Sequence, residues 1–463
     1  MLSPLVEIPF IEPCWSLRPR IASDRSNEMM SNKSVRRFGS FMMRCLLSLC
    51  VLAVCASPLA AENWPSWRGP NQNGVAAGKN FPTEWSTTKN VAWKVALPGK
   101  GASTPVVWGE SIFVTCGIDG KNTLLAFDRA GKEQWRIAVG SEKVGKHKKA
   151  TGCNPSAVTD GKHVFTYFKS GDLACVDFTG KVIWQTNLQE KFGEDTLWWD
   201  LGTSPVLTKA HCVVAVMQTP EKTGTSYLAA FDKLSGEVAW KQDRNLDAPS
   251  EAAQSYSTPI VWNENGKETL IVLGADHVTA HDAVSGKEHW RVGGLNPTGH
   301  KYFRSIASAV VSDGIVVAPY ARGDNVTAIK LGGSGDVTKS HVVWSKNGGG
   351  VGTDVPTPAA TEGKVYLLGD KGEIACYDIT TGSKIWSGQP EKNRSAFSSS
   401  PILADGKIYI TREDGKTFVL AQGSEFKVLA ANELDGFVVA TPVFTNGRIL
   451  IRTDTHLYCI GGS

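Results

Sequence analysis

Short apolar runs recur along this chain with a period of roughly 50 residues, eight times between Thr104 and the C-terminus. Each unit opens on a small or hydroxyl-bearing residue that is usually followed by proline and then by β-branched residues. The eight openings are Thr104, Asn154, Ser204, Thr258, Ser308, Thr357, Ser400 and Thr441, and only the fifth lacks the proline. Such short β-branched runs between turn residues predict strands.

A second apolar run follows each opening and carries a small residue, such as Ala230 or Cys376. Five units then add an aspartate, a glycine and a tryptophan in fixed order, as in Asp232, Gly236 and Trp240. The equivalent tryptophans of the other four are Trp135, Trp184, Trp290 and Trp386. The glycine suits a tight hairpin turn, and the tryptophan is a large apolar anchor on the next strand. Each unit therefore predicts four short strands.

One four-stranded sheet cannot bury both of its faces, whereas eight sheets stacked radially can, as in a β-propeller. The last unit ends near Ile460 without a tryptophan strand, and residues 90–95 supply such a strand before the first unit. Pairing the two would close the ring and cover two sheet edges. We therefore predict an all-β chain folded as an eight-bladed β-propeller closed by an N-terminal strand. Seven blades is the alternative, because the unit at 418–434 lacks the aspartate, glycine and tryptophan.

Residues 1–61 are predicted to be a targeting segment, and residues 62–463 a single propeller domain. Basic residues precede the apolar stretch 45–56, and small residues at 58–61 suit cleavage before Glu62. The apolar stretch is too short for a typical membrane span. We expect export to the periplasm or the extracellular space, with no transmembrane span in the mature chain. A lipid anchor on Cys55 is a less favoured alternative, because Val54 is larger than such processing usually accepts.

Charge excludes some partners. The chain has 49 basic and 45 acidic residues and a formal net charge of +4, and the excess lies before Glu62. A nearly neutral propeller offers no general attraction to nucleic acid or to an acidic membrane surface. The only dense basic run, 146–149, is predicted to be a solvated loop.

Six cysteines follow residue 61. Cys175, Cys376 and Cys459 occupy the small position of their units, so they are expected to be buried packing residues. Cys116 follows the second strand of the first unit, and Cys153 precedes the first strand of the second unit. Both positions belong to the same face of neighbouring blades, which makes Cys116 and Cys153 a candidate disulfide in an export compartment.

In a four-stranded meander the connections between blades and the loops between second and third strands emerge together around the channel mouth. Any site is expected there. The candidate ligand-binding residues in these segments are Trp199, Asp200, Glu251, Tyr256, Arg304, Arg322 and Asp354. They could line a polar, aromatic pocket. The alternative is purely structural: Arg304 or Arg322 would pair with Asp200 or Asp354 and hold blades together. The sequence has no metal-ligand spacing and no nucleophile motif, so no metal site or catalytic residue is predicted.

The unit Ala-Phe-Asp-Lys-Leu-Ser-Gly-Glu-Val-Ala-Trp at 230–240 resembles the tryptophan-docking repeat of the pyrroloquinoline quinone (PQQ) propeller superfamily, as does the unit at 376–386. The resemblance covers nearly all of the chain after residue 61. It implies the fold and says little about function, because the motif docks blades against one another and does not touch a cofactor.

Two branches of this superfamily imply different functions. Quinoprotein dehydrogenases bind PQQ and calcium; by that resemblance the mouth carboxylates would act as base or calcium ligand, the arginines would face the quinone carboxylates, and Trp199 or Tyr256 would stack on the rings. The sequence has neither an adjacent cysteine pair nor a Cys-x-x-Cys-His haem attachment. PQQ and calcium are therefore not favoured as cofactors.

The other branch is similar to the outer-membrane lipoprotein of the barrel-assembly machinery, a non-enzymatic eight-bladed scaffold. The segment 64–70, Trp-Pro-Ser-Trp-Arg-Gly-Pro, also resembles the lead-in of secreted bacterial proteins labelled PQQ-like. The resemblance implies a non-enzymatic binding or protein-interaction scaffold, with another protein or a small ligand at the propeller face. A carbohydrate-binding propeller using Trp199 and Tyr256 is the third alternative.

Overall fold

The computed structural model describes residues 62–219, 224–348 and 352–462. The predicted targeting segment 1–61, with Cys55, lies outside the described residues. Across the described residues the chain forms eight sheets of four antiparallel strands, two of which gain a short parallel strand, and the predicted eight-bladed β-propeller is confirmed. In the part of the chain that the structure describes, no helix is both long and apolar enough to cross a membrane.

Blades 1 to 4 each contain four strands, given from the channel outward. Blade 1 has Val106–Trp108, Ser111–Ile118, Lys121–Asp128 and Glu133–Ser141. Blade 2 has Val158–Thr159, His163–Tyr167, Asp172–Asp177 and Val182–Asn187. Blade 3 has Val206–Leu207, His211–Val216, Tyr227–Asp232 and Val238–Asp243. Blade 4 has Ile260–Glu264, Lys267–Gly274, His277–Asp282 and Glu288–Val292, with Gly335–Asp336 added at its outer edge.

Blades 5 to 8 follow the same plan. Blade 5 has Val310–Ser312, Ile315–Tyr320, Asn325–Lys330 and Val342–Asn347. Blade 6 has Ala359–Thr361, Lys364–Leu368, Ile374–Asp378 and Lys384–Gly388. Blade 7 has Ile402–Ala404, Lys407–Thr411, Lys416–Ala421 and Val428–Glu433. Blade 8 has Val443–Thr445, Arg448–Arg452 and His456–Ile460. The helices are short: Leu188–Phe192 and Thr338–His341 are α-helical, and Ser250–Ala253 and Ala321–Gly323 are 3₁₀ turns.

The outermost strand of blade 8 comes from the other end of the chain, as predicted. Val91–Ala96 pairs antiparallel with His456–Ile460, and Trp93 lies opposite Cys459. The seventh unit forms a complete blade although it lacks the sequence markers. Its Phe426 packs with its ring centroid 6.0 Å from that of Trp386 in blade 6. The ring is therefore closed by main-chain hydrogen bonds between its two termini.

Tryptophans join neighbouring blades. The indole N–H groups that donate to a backbone carbonyl oxygen of the next blade, at 2.8–3.0 Å, belong to Trp93, Trp135, Trp184, Trp344 and Trp386. The facing hairpin glycines leave no room for a side chain: a Cβ atom would lie 2.4–2.9 Å from a ring atom at Gly131, Gly180, Gly236, Gly286 and Gly382. The repeated glycine and tryptophan thus serve one contact, made between different blades.

Gly286 tests this contact. Its φ is +75° and a Cβ atom would lie 2.4 Å from Trp240 Cε3, whereas Gly363 has φ +71° with nothing within 4 Å. Gly363→Ala should therefore lose ~1 kcal/mol of unfolding free energy from backbone strain alone. Gly286→Ala should lose ~3 kcal/mol, because overpacking against the indole adds to the same strain. Guanidinium unfolding measures both; equal losses would contradict the docking role of the glycine.

The channel is closed from the end opposite the mouth by the chain's own N-terminal residues, 64–76, which the sequence analysis did not predict. Trp64 exchanges two backbone hydrogen bonds with Val107 of blade 1, at 2.8 and 2.9 Å. Pro65 O accepts from Thr159 N of blade 2 at 2.9 Å. Val75–Ala76 then runs parallel to the innermost strand of blade 7. One segment therefore contacts blades 1, 2 and 7 around the channel.

Arg68 is the most buried charged group of this plug segment, 64–76. Its side chain is 1% exposed, and its guanidinium donates to Pro401 O at 2.9 Å and to Pro358 O at 2.7 Å. Burial lowers the pKa of Arg68 to about 9, and within the described ranges no ion pair includes it. A cation without a counter-charge thus lies in the middle of the ring.

Candidate functional site

A closed ring of eight hydroxyl groups encircles the channel where the innermost strands begin. In each blade the backbone N–H of the ring residue donates to the side-chain oxygen of the ring residue in the next blade, at 2.8–3.2 Å. The eight members, here called the hydroxyl ring, are Thr104, Ser156, Ser204, Thr258, Ser308, Thr357, Ser400 and Thr441. Each blade is therefore tied to the next at the channel wall.

The second unit corrects the register read from the sequence. Its ring member is Ser156, not Asn154, so this unit also lacks proline at the following position, which is Ala157. Asn154 instead accepts from the backbone N–H of Thr151 at 2.8 Å and donates to Leu201 O at 3.2 Å. The nearby Pro155 had suggested the wrong alignment.

The hydroxyl ring lies at the base of a cavity of about 410 Å³ that opens at the mouth. All eight ring residues line it, and all are buried. Trp67, from the plug segment, also lines the cavity. Of the predicted site residues, five line it: Trp199, Asp200, Tyr256, Arg304 and Asp354. The connections between blades thus bring together residues that are up to 155 positions apart.

Asp200 forms a buried ion pair with Lys169, whose side chain is 6% exposed. The Asp200 carboxylate also accepts from the backbone N–H groups of Lys146, at 2.8 and 2.9 Å, and of His147, at 2.8 Å. Burial alone would raise the pKa of Asp200, but the hydrogen bonds from His147 and Lys169 outweigh it and lower the pKa. The basic run at 146–149 is a loop with three exposed side chains, as predicted, and its backbone also holds this carboxylate.

Glu251 does not line the cavity but supports two residues that do. Its Oε1 atom lies 3.3 Å from Arg304 Nε and accepts from Trp199 Nε1 at 3.1 Å. Tyr256 is buried, accepts from Trp199 N at 3.2 Å and donates to Gln254 at 2.7 Å. Arg304 thus forms an ion pair between blades, which was the alternative to a ligand-binding role. Its partner is Glu251 and not Asp200 or Asp354.

Within the described part of the chain, Arg322 and Asp354 do not take part in the ion pairs of the mouth. Arg322 lies outside the cavity, and its Nε donates to Tyr302 O at 3.4 Å. Burial, reinforced by the negative charge of Asp370, raises the pKa of Asp354 to about 6. Arg304 and Arg322 oppose that rise without forming an ion pair with Asp354 among the described residues. Asp354 is thus the lining carboxylate whose charge is least stabilised.

Sequence reasoning missed three contributors to the site. Lys149 lines the cavity and pairs with Glu413, which also accepts from Ser398 Oγ at 2.5 Å. Lys149 and Glu413 lie 264 positions apart and on non-adjacent blades, and no local motif marks either of them. Trp67 was noted only as part of a lead-in motif. The hydroxyl column was visible in the sequence but was interpreted as the start of a strand.

Cys116 and Cys153 are both free in the structure, so the candidate disulfide is not formed there. Arg452 donates to Cys116 Sγ at 3.3 Å, and Cys153 Sγ lies 3.6 Å from Asn122 Oδ1. Burial raises the pKa of both thiols. Each sulfur therefore has its own polar neighbour and is held in the protonated state.

These features define the class of protein: an eight-bladed PQQ-like propeller with a plugged channel and an open mouth. The family model described as outer membrane protein assembly factor BamB matches residues 75–218, 120–274 and 223–424. The chain belongs to this family.

Individual relatives are distant. BamB of Yersinia pestis is 22% identical over 360 residues, which is 75% of this chain and 81% of the relative. BamB of Shewanella oneidensis is 23% identical over 433 residues, or 81% of this chain and 96% of the relative. Both matches extend over most of each protein, so the relationship is one of whole propellers.

Solved structures show a similar fold. The crystal structure of BamB from Moraxella catarrhalis has a TM-score of 0.56 at 14% identity and covers 80% of this chain and 99% of its own. A quinohemoprotein alcohol dehydrogenase from Comamonas testosteroni has a TM-score of 0.63 at 12% identity and covers 87% and 81%. At these identities the likeness is one of fold alone.

The donor set of the mouth does not fit PQQ with calcium. Three cations of the mouth loops, Arg304, Lys149 and Lys169, already pair with Glu251, Glu413 and Asp200, so none of the three is free to pair with the carboxylates of PQQ. No group of three or more metal-ligating side chains converges within the described ranges. A calcium ion needs six or more oxygen ligands, whereas among the described residues only Asp200 and Asp354 bring carboxylates to the cavity wall, and Asp200 already pairs with Lys169.

Proposed function

We propose that this protein is an exported propeller that acts as a binding scaffold, with the mouth as its interaction surface for another protein. One observation carries the proposal. Trp198, Trp199 and Tyr302 stand 41–43% exposed on connections between blades, beside the mouth. Large aromatic side chains grouped on a polar surface are the usual anchors of protein interfaces.

The charges around these aromatic residues support the same role. Lys169, Arg304 and Lys149 are all engaged by carboxylates of the propeller itself. Paired in this way, the charges keep the mouth loops in place and leave the exposed parts of the aromatic rings available for contact. A preorganised surface loses little conformational entropy on binding.

The family indicates which class of partner protein should be tested first. Its relatives are named outer membrane protein assembly factors. We infer a partner in the envelope of the cell, and export after removal of residues 1–61. Amino-terminal sequencing of the mature protein should begin at Glu62, whose backbone N–H lies 2.7 Å from Asn446 Oδ1 of blade 8.

The interaction is tested with two double variants of matched exposure. Trp198→Ser/Tyr302→Ser removes two aromatic anchors from the mouth, and Trp199 stays because it donates to Glu251. Ile183→Ser/Ile385→Ser removes two apolar side chains, 37–38% exposed, from the outermost strands of blades 2 and 6. Losing two anchor residues should weaken a partner at least about 30-fold.

Affinity capture from envelope extracts, with quantitative mass spectrometry, compares both variants with the wild type. We expect one or more envelope proteins to be recovered by the wild type and the outer-strand variant and lost with the mouth variant. Equal recovery by all three, or loss with the outer-strand variant alone, would place the interaction elsewhere and contradict the proposal.

A further inference from the structure

We propose that the base of the cavity is an oxyanion site, which binds a carboxylate or phosphate group through the hydroxyl ring above the Arg68 charge. The proposal concerns the isolated propeller and does not depend on the partner of its mouth.

The first observation is the unused hydrogen-bonding capacity of the hydroxyl ring. Every ring oxygen accepts one backbone N–H, and among the described residues none of the eight hydroxyls donates a hydrogen bond. All eight are at least 94% buried and line one cavity. A buried hydroxyl without an acceptor is costly, so eight of them around one space favour an acceptor-rich occupant.

The second observation is the charge beneath the hydroxyl ring. Arg68 donates to the carbonyl oxygens of Pro358 and Pro401, which directly follow the ring members Thr357 and Ser400. Its Nε atom is buried and has no hydrogen-bond partner within the residues the structure describes. A buried cation that hydrogen-bonds only to neutral groups retains an uncompensated positive potential. That potential favours a negative occupant over a neutral sugar.

Most of the charged side chains that line the cavity are neutralised by partners within the protein. Lys149, Arg304 and Asp200 each have a partner of opposite charge. Asp354 is the acidic lining residue without one; burial raises its pKa to about 6, so anions should bind more tightly below about pH 6, where this carboxyl is neutral. The channel axis therefore carries one unpaired buried cation and a wall of donors, which is the arrangement expected of an anion site.

Inorganic phosphate and acetate are the probes, titrated into the purified mature propeller by calorimetry against sodium chloride at matched ionic strength. We expect saturable binding of at least one of them, and the stronger of the two tells whether the natural group is a phosphate or a carboxylate. Glucose is the neutral comparison. No saturable binding of either anion up to about 50 mM, far above the dissociation constant of a useful site, would overturn the proposal.

Variants of the hydroxyl ring locate the binding. Ser204→Ala/Ser400→Ala removes two hydroxyls from opposite blades, and we expect at least about tenfold weaker binding, since hydrogen bonds to charged groups are strong. Ser204→Thr/Ser400→Thr keeps both hydroxyls and should bind as the wild type does. Ser226→Ala is the folding control, because Ser226 Oγ also accepts a buried backbone N–H, from Gln218 at 2.9 Å, but lies away from the cavity.

The variants distinguish binding at the hydroxyl ring from binding elsewhere. Loss with the alanine pair, with retention in the threonine pair and in Ser226→Ala, supports the site. Equal binding by all variants would mean that the anion binds elsewhere and would overturn it. Saturable binding of glucose without binding of either anion would also overturn it, in favour of carbohydrate recognition.

Discussion

Replacing Arg68 by alanine should destabilise the propeller by ~4 kcal/mol or more. The change removes two charge-assisted hydrogen bonds, to Pro358 O and Pro401 O, and leaves a void where a fully buried side chain was. It also removes the link that the Arg68 side chain makes from the plug segment to blades 6 and 7, so that mainly backbone hydrogen bonds remain there. Guanidinium unfolding should show the loss, and limited proteolysis should cleave within 64–76 in the variant before it does in the wild type.

Arg129 provides the matched control. Its guanidinium also joins two blades, by donating to Gly109 O and to Thr445 Oγ1, both at 2.8 Å, but it is only partly buried. Arg129→Ala should therefore cost no more than ~2 kcal/mol and leave the plug segment protected. Equal losses of unfolding free energy in Arg68→Ala and Arg129→Ala would contradict a stabilising role for the plug segment.

Asp200→Asn should cost ~3–5 kcal/mol at neutral pH, because it leaves the buried Lys169 ammonium without a counter-charge. Asp243→Asn is the matched control: Asp243 also pairs with a lysine, Lys241, but its side chain is 62% exposed, so the loss should stay below ~1 kcal/mol. Lys169→Met/Asp200→Asn should regain much of the stability. Denaturant unfolding of the four proteins tests this; a double variant as unstable as Asp200→Asn would contradict the buried pair.

The same pair has a defined pH dependence. The pKa of Asp200 is lowered in the folded protein, so its contribution is complete above the unfolded value and is lost as the pH falls through the folded value. The stability difference between wild type and Asp200→Asn should stay constant down to about pH 4 and shrink only below it. A difference that vanished near neutral pH would contradict the lowered pKa.

The repeat predicted the architecture because it reports local chemistry. A hairpin glycine and a strand tryptophan are needed in each blade, and the strand with Trp93 was identifiable by elimination, since the last unit lacked one. The seventh blade forms without these markers, and its Phe426 packs against Trp386 of the preceding blade. The number of blades is therefore better predicted from the apolar strand runs than from the glycine and tryptophan positions.

The site was only partly predictable because topology gives the face of a residue and not its neighbour. The mouth was correctly expected to gather Asp200, Arg304 and Asp354. Which charges pair was not, since Lys169 and Glu251 reach their partners through the course of individual loops. The plug segment was unpredictable for another reason: its hydrogen bonds, including those of the Arg68 side chain, go to backbone groups of the blades, which carry no side-chain signature.

Site-specific photo-cross-linking in living cells tests the mouth as interaction surface most directly. A photoreactive phenylalanine analogue at position 302, where Tyr302 is 41% exposed at the mouth, is compared with one at position 385, where Ile385 is 37% exposed on an outermost strand. The account predicts a discrete adduct with an envelope protein from position 302 and none from position 385. Adducts from position 385 alone would contradict it.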